Sequence, residues 1–146
     1  MLKLKFLSLT LLVLFLISCC GKESQPPAEV QQSFNDRFSG VTEVKWEVEE
    51  DGTWEAEFEF DGMEVSAEFS VEGEWLETET EISAIPDTIK IWIENEYPGW
   101  NIEKAELVEL PDSSYYEVDI EDRTDEAELL FNRDGIYLRN ENEDEN

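Results

Sequence analysis

Trp54-Glu55-Ala56-Glu57-Phe58-Glu59-Phe60-Asp61-Gly62-Met63-Glu64-Val65-Ser66-Ala67-Glu68-Phe69 is the stretch that decides the fold. Apolar and polar residues alternate on either side of Asp61-Gly62, and a period of two throws successive side chains to opposite faces of a strand. Asp-Gly is the strongest short-range hairpin signal, because a two-residue turn needs positive φ. The stretch predicts two antiparallel strands. One face carries Trp54, Ala56, Phe58, Phe60, Met63, Val65, Ala67 and Phe69; the other carries Glu55, Glu57, Glu59, Glu64, Ser66 and Glu68.

Asp51-Gly52 and Glu72-Gly73 mark turns on either side and extend the hairpin to four strands. The first added strand places Val44, Trp46 and Val48 with the apolar face and Lys45, Glu47 and Glu49 with the acidic one. Upstream, Pro27 suits a first helical turn, Val30, Phe34 and Phe38 recur at every fourth position, and Ser39-Gly40 ends the pattern. A helix with one apolar stripe must then cover the apolar face of the meander, leaving a field of carboxylates open to water.

The same unit is written twice. Pro27, Val30, Phe34, Phe38, Ser39-Gly40, Lys45, Trp54, Phe69, Gly73 and Trp75-Leu76 recur, 59 to 62 positions later, as Pro86, Ile89, Ile93, Tyr97, Pro98-Gly99, Lys104, Tyr116, Phe131, Gly135 and Tyr137-Leu138. Ile89, Trp92, Ile93 and Tyr97 form the second helical stripe. Ala105-Leu107, Tyr116-Val118-Ile120, Ala127-Leu129-Phe131 and Ile136-Leu138 are the expected inward strand positions, and Pro111 to Ser114 lengthens one loop. The expected fold is therefore α+β, a tandem duplication of an α-β4 unit. A chain of about 60 residues buries only about 60% of its unfolded surface, so the two sheets should join or pack. The boundaries read as 1–19 leader, 20–26 tether, 27–82 first repeat, 83–140 second repeat and 141–146 acidic tail.

The leader has Lys3 and Lys5 ahead of an apolar run from Phe6 to Ile17, too short to span a bilayer, where about 20 residues are needed. Leu16-Ile17-Ser18-Cys19 has the pattern of a bacterial lipobox, which predicts acylation of Cys19 and an envelope location, periplasmic or on the outer membrane. Both cysteines, Cys19 and Cys20, lie here. The folded part must be held by packing and not by disulfides.

Ten Lys and Arg stand against 38 Asp and Glu, a net charge of −28, and removal of the leader takes away two lysines and no acid. Nucleic acid and anionic membrane surfaces would be repelled, so membrane contact is expected only through the anchor, and a charged partner should be a basic protein or peptide. There is no histidine, which removes Ser-His-Asp and Cys-His catalysis and imidazole metal sites. The glycines are scattered turn residues and form no phosphate-binding loop. No enzyme, cofactor or dedicated metal site is expected. Glu49-Glu50-Asp51-Gly52 and Asn132-Arg133-Asp134-Gly135 lack EF-hand spacing and are more simply hairpin turns.

The candidate binding residues are Glu47, Glu55, Glu57, Glu59, Glu64 and Glu68 on the acidic face, with Trp75 and Trp100 beside turns as aromatic contacts. Like charges opposite one another across strands cost stability, which invites a functional reason. The competing reading is a solvated face that discourages edge-to-edge association, or an envelope protein that buffers calcium weakly and has no specific partner.

Taken in order, Val44-Lys45-Trp46, Asp51-Gly52-Thr53-Trp54-Glu55-Ala56-Glu57-Phe58, Glu72-Gly73-Glu74-Trp75-Leu76-Glu77-Thr78-Glu79, Ile85-Pro86, Glu96-Tyr97-Pro98, Ile102-Glu103-Lys104-Ala105 and Asn132-Arg133-Asp134-Gly135 resemble the PepSY-like, beta-lactamase-inhibitor-protein-like family of exported bacterial proteins. The resemblance spans roughly Pro27 to Arg139. It implies two α-β4 repeats, helices on one side of a curved sheet, and a non-enzymatic binding or inhibitory role. The open face here is acidic where the namesake inhibitor's is rich in aromatic residues, so beta-lactamase itself is not the expected target.

Overall fold

The structure is a computed structural model and describes residues 25–141. The leader with Cys19, most of the tether and all but the first residue of the acidic tail lie outside the described residues. Ten elements follow in order: α1 (Ala28–Arg37), β1 (Lys45–Val48), β2 (Trp54–Phe60), β3 (Met63–Phe69), β4 (Trp75–Glu81), α2 (Asp87–Glu96), β5 (Asn101–Glu109), β6 (Ser114–Glu121), β7 (Glu126–Asn132) and β8 (Tyr137–Asn140). The strands form one antiparallel sheet in the order β1 to β8. The expected joining of two four-stranded halves takes place by pairing: Thr78, Glu79, Thr80 and Glu81 of β4 face Glu109, Val108, Leu107 and Glu106 of β5.

Both helices start and stop in the same way. Pro27 and Pro86 precede them, with φ set near −50° and no side-chain cap. They end where the Phe38 and Tyr97 amides donate to the Phe34 and Ile93 carbonyls at 2.8 Å. Glycine follows each exit, at φ +93° for Gly40 and +92° for Gly99. The last hairpin turn of each half also touches the first turn of that half's helix. A Cβ on Gly73 would lie 2.6 Å from the Glu29 carbonyl oxygen, and one on Gly135 would run into Thr88 Oγ1.

Each helix buries its stripe against its own four strands. Val30, Phe34 and Phe38 pack with Ala56, Phe58, Val65, Ala67 and Phe69. Ile89 and Ile93 pack with Ala105, Val118, Ile120, Ala127, Leu129 and Phe131. The first core is largely aromatic: the Phe34 ring meets Phe58 edge-on at 4.9 Å and Trp46 at 5.2 Å. Aromatic rings gather at the rim of the second, where Trp92 stacks on Tyr137 at 4.3 Å.

Some inward positions are corrected. Ile136 and Leu138 are exposed and Tyr137 turns inward instead, because a bulge between Leu130 and Phe131 shifts the register and sets Phe131 opposite Tyr137. Val48 and Met63 are exposed at strand ends. Trp75 and Trp100 pack on the helix side at the edges of the two cores, away from the acidic face. Arg37 lies over the Trp75 ring at 3.4 Å, a cation–π contact.

Candidate functional site

With both helices on one side, no described element covers the other face of the sheet. Alternation along the strands fills it with acids. Glu55, Glu57 and Glu59 of β2 face Glu68, Ser66 and Glu64 of β3. Across the middle of the sheet Glu68 faces Glu77, Ser66 faces Glu79, Glu81 faces Glu106, and Glu106 faces Glu117. Asp119 then faces Glu128. The six glutamates expected from the sequence do share this face, and Trp75 and Trp100 do not join them.

The first half of the face is wet and partly compensated. Lys45 bridges Glu47 at 2.8 Å and Glu57 at 2.7 Å, and those hydrogen bonds raise the lysine above its ordinary value. Ser66 Oγ donates to Glu55 at 2.6 Å, and Thr53 Oγ1 donates to Glu68. Near the first turn Glu47, Glu49 and Glu55 bring carboxylate oxygens within 4.8 Å of one another. Partial burial, then the neighbouring Glu55, push Glu49 up.

The second half, which the sequence did not single out, is of a different kind. Glu106 and Glu117 are buried, at 6% and 4% exposure, together with Val108 and Leu130 on the same face. Desolvation, reinforced by the surrounding acids, pushes Glu77 up to about 7, Glu79 to about 8 and Glu117 to about 9. Burial also raises Asp119 and the Tyr115 hydroxyl. Lys104 is the local cation, 2.8 Å from Glu106. Burial opposes its charge, but the Glu106 hydrogen bond and the acids around it hold its pKa above the ordinary value.

The signal that could have found this cluster is the pair Val108 and Leu130. Both are large aliphatic residues at positions whose parity assigns them to the outward face, where only a screened surface accepts them.

A groove of about 990 Å³ lies at the β1 margin beside α1, among Gln31, Asn35, Val44, Trp46, Glu57 and Glu59. The acids of β4 to β7 stay outside it. The face is thus an extended, strongly negative surface suited to binding cations or cationic groups.

Residues 52–139 match the model of the family described as "Putative beta-lactamase-inhibitor-like, PepSY-like". The chain belongs to this family. The PepSY-like architecture recurs in solved structures. A DUF2874 family protein from Bacteroides ovatus is 22% identical, with a TM-score of 0.73 over 80% of this chain and 87% of that one. A BLIP-like protein from Bacteroides fragilis is 24% identical, with a TM-score of 0.71 over 81% and 86%. A Bacteroides eggerthii structure described as "putative periplasmic proteins" is 16% identical, with a TM-score of 0.73 over 81% and 89%. No curated protein matches.

Proposed function

We propose that this PepSY-like protein is an extracytoplasmic, non-enzymatic binding module that docks a basic protein or peptide on the acidic face of its sheet. One observation carries the reading: among the described residues no element covers the face opposite the helices, and that face is set with acids on every strand from β1 to β7, beside Lys45, Lys104 and, by register, Arg139. Retaining that charge costs stability through like-charged cross-strand neighbours, and a cationic partner would relieve the cost. Glu47, Glu55, Glu57, Glu59, Glu64 and Glu68 are the accessible contacts. Trp75 and Trp100 would serve only a partner that reaches round to the helix side.

Attachment through acylated Cys19 and location in the periplasm or on the outer membrane rest on the leader pattern. The description of the Bacteroides eggerthii relative agrees with that location. Inhibition of a secreted or envelope protein is the form such docking would take if the partner is an enzyme, in keeping with the family description. Origin by tandem duplication is supported by the equivalent prolines, helix exits, bulges and glycine contacts of the two halves.

The test is retention of envelope proteins on immobilised full-length protein at low salt and at roughly 0.5 M salt, where surface charge is screened, beside a Glu55→Gln, Glu57→Gln, Glu59→Gln variant. Salt-sensitive retention that the variant loses supports the reading. An unchanged set of retained proteins removes the acidic face from consideration.

A further inference from the structure

The groove between α1 and β1 joins apolar walls to hydrogen-bond acceptors. Phe34, Val44 and Trp46 supply the apolar part, and Glu43, Glu57 and Glu59 bring carboxylates to it. On the helix side the amide donors are already committed: Gln31 Nε2 donates to the Pro26 carbonyl at 2.6 Å, and Asn35 Nδ2 donates to the Gln31 carbonyl at 2.7 Å. Their amide oxygens are left as acceptors. Lys45 is the one cation among the lining residues, and it is held by Glu47 at 2.8 Å and Glu57 at 2.7 Å. A groove whose donors are spent selects an occupant that donates and carries positive charge.

Trp46 narrows the choice. Its ring is half-buried and held edge-on by Phe34 at 5.2 Å and Trp54 at 6.5 Å, so it meets an occupant as a fixed surface. A planar guanidinium can stack on such a ring while its in-plane donors reach carboxylates, whereas an ammonium is a point charge that holds its water. The protein makes the same pairing within itself, where Arg37 lies over Trp75 at 3.4 Å. In the second half the corresponding margin is taken up by β4, which pairs with β5.

We propose that this groove anchors one arginine of the basic partner, with its guanidinium over Trp46 and its donors on Glu57 and Glu59. The inference rests on the docking reading and deepens it. Glu57 and Glu59 belong both to the acidic face and to the groove, so a partner drawn in by diffuse charge is fixed where the face meets an aromatic ring.

The test is a nitrogen-15 NMR titration of the full chain at about 0.15 M sodium chloride, which screens diffuse attraction. The probes are acetyl-Leu-Arg-Leu-amide, its citrulline and lysine counterparts, and separately a heptalysine peptide. The arginine peptide should give a saturable shift of the Trp46 indole N–H, identified by its absence in Trp46→Phe, and of the Val41 and Val44 amides. Citrulline, which keeps the shape and loses the charge, should bind at least about tenfold more weakly, and lysine about threefold. Asn35→Arg, at an exposed helix position, should fill the groove with the chain's own guanidinium and abolish the shift. Glu94→Gln, which makes the same change in net charge on α2, should leave it unchanged. Groove signals that stay still while heptalysine moves the Glu55 and Glu68 amides overturn the arginine site and leave the docking reading standing. Silence from both peptides overturns both readings. Equal binding of the citrulline peptide, or binding that survives Asn35→Arg, overturns the site as well. Trp46 shifts produced by concentrating the protein alone assign the groove to a second copy and likewise overturn it.

Discussion

The acids of β1 to β3 and those of β4 to β7 occupy one face of one sheet, and they obey different physics. Glu47, Glu57, Glu59 and Glu64 stand in water, where charge is cheap and a lysine or hydroxyl is enough to balance neighbours. Glu79, Glu106 and Glu117 are half-buried or buried, where charge is expensive and a proton or cation must be supplied. Residue type and face parity are the same in both regions. Solvent access alone separates an attractive surface from a group of strained carboxyls.

The largest expected consequence is a pH dependence opposite to the usual one. Glu79 and Glu117 bind protons more tightly folded than unfolded, so the native state holds more protons between about pH 4.5 and pH 8 to 9, and stability falls as pH rises through that window. Denaturant midpoints measured with chelator should fall by the equivalent of about 2–4 kcal/mol between about pH 5 and about pH 8. A Glu79→Gln, Glu117→Gln double variant should flatten the slope, while Glu57→Gln, Glu59→Gln should leave it. An unflattened slope would erase the distinction between the two regions.

The helix side sharpens the contrast, because there both halves use one device. Gly73→Ala at φ +83° would press Cβ against the Glu29 main-chain carbonyl, which cannot rotate away, and should cost about 2–3 kcal/mol by denaturant titration. Gly135→Ala at φ +76° meets the Thr88 hydroxyl, which can turn, and should cost about 1–2 kcal/mol. Equal losses would show that backbone dihedral strain alone decides both.

Smaller effects separate single acids. At about pH 9 with chelator, Glu117→Gln should stabilise by about 1 kcal/mol, since it removes a desolvated charge and leaves nothing unpaired. Glu57→Gln, whose only described partner is the exposed Lys45, should lie within about 0.5 kcal/mol of the parent. Matching thermal midpoints for the two variants would mean that Glu117 is better solvated than its burial indicates.

Much of the fold was legible in the sequence because its signals are local. Asp61-Gly62 fixed a turn, Val30-Phe34-Phe38 fixed a stripe, and Pro27 and Pro86 fixed helix starts without reference to anything distant. The Ile136 and Leu138 positions were misread because one bulge, invisible in the pattern, exchanges the two faces of a strand. The candidate site was half legible for a related reason. Parity says which way Glu117 points but not how closely Glu79, Glu106 and Glu128 approach it across three other strands, and that approach sets its chemistry. Nearness to a turn gave no sign of the ring's neighbour: Arg37, distant in sequence at the end of α1, comes to lie on Trp75.

Both margins of the sheet are four-residue strands, and Lys45 at the head of β1 is clasped by two glutamates. Such stubs give a neighbouring molecule little main chain to zip onto, and the surrounding negative charge repels another copy before contact. Edges of this kind disfavour growth into fibres by strand addition at either margin.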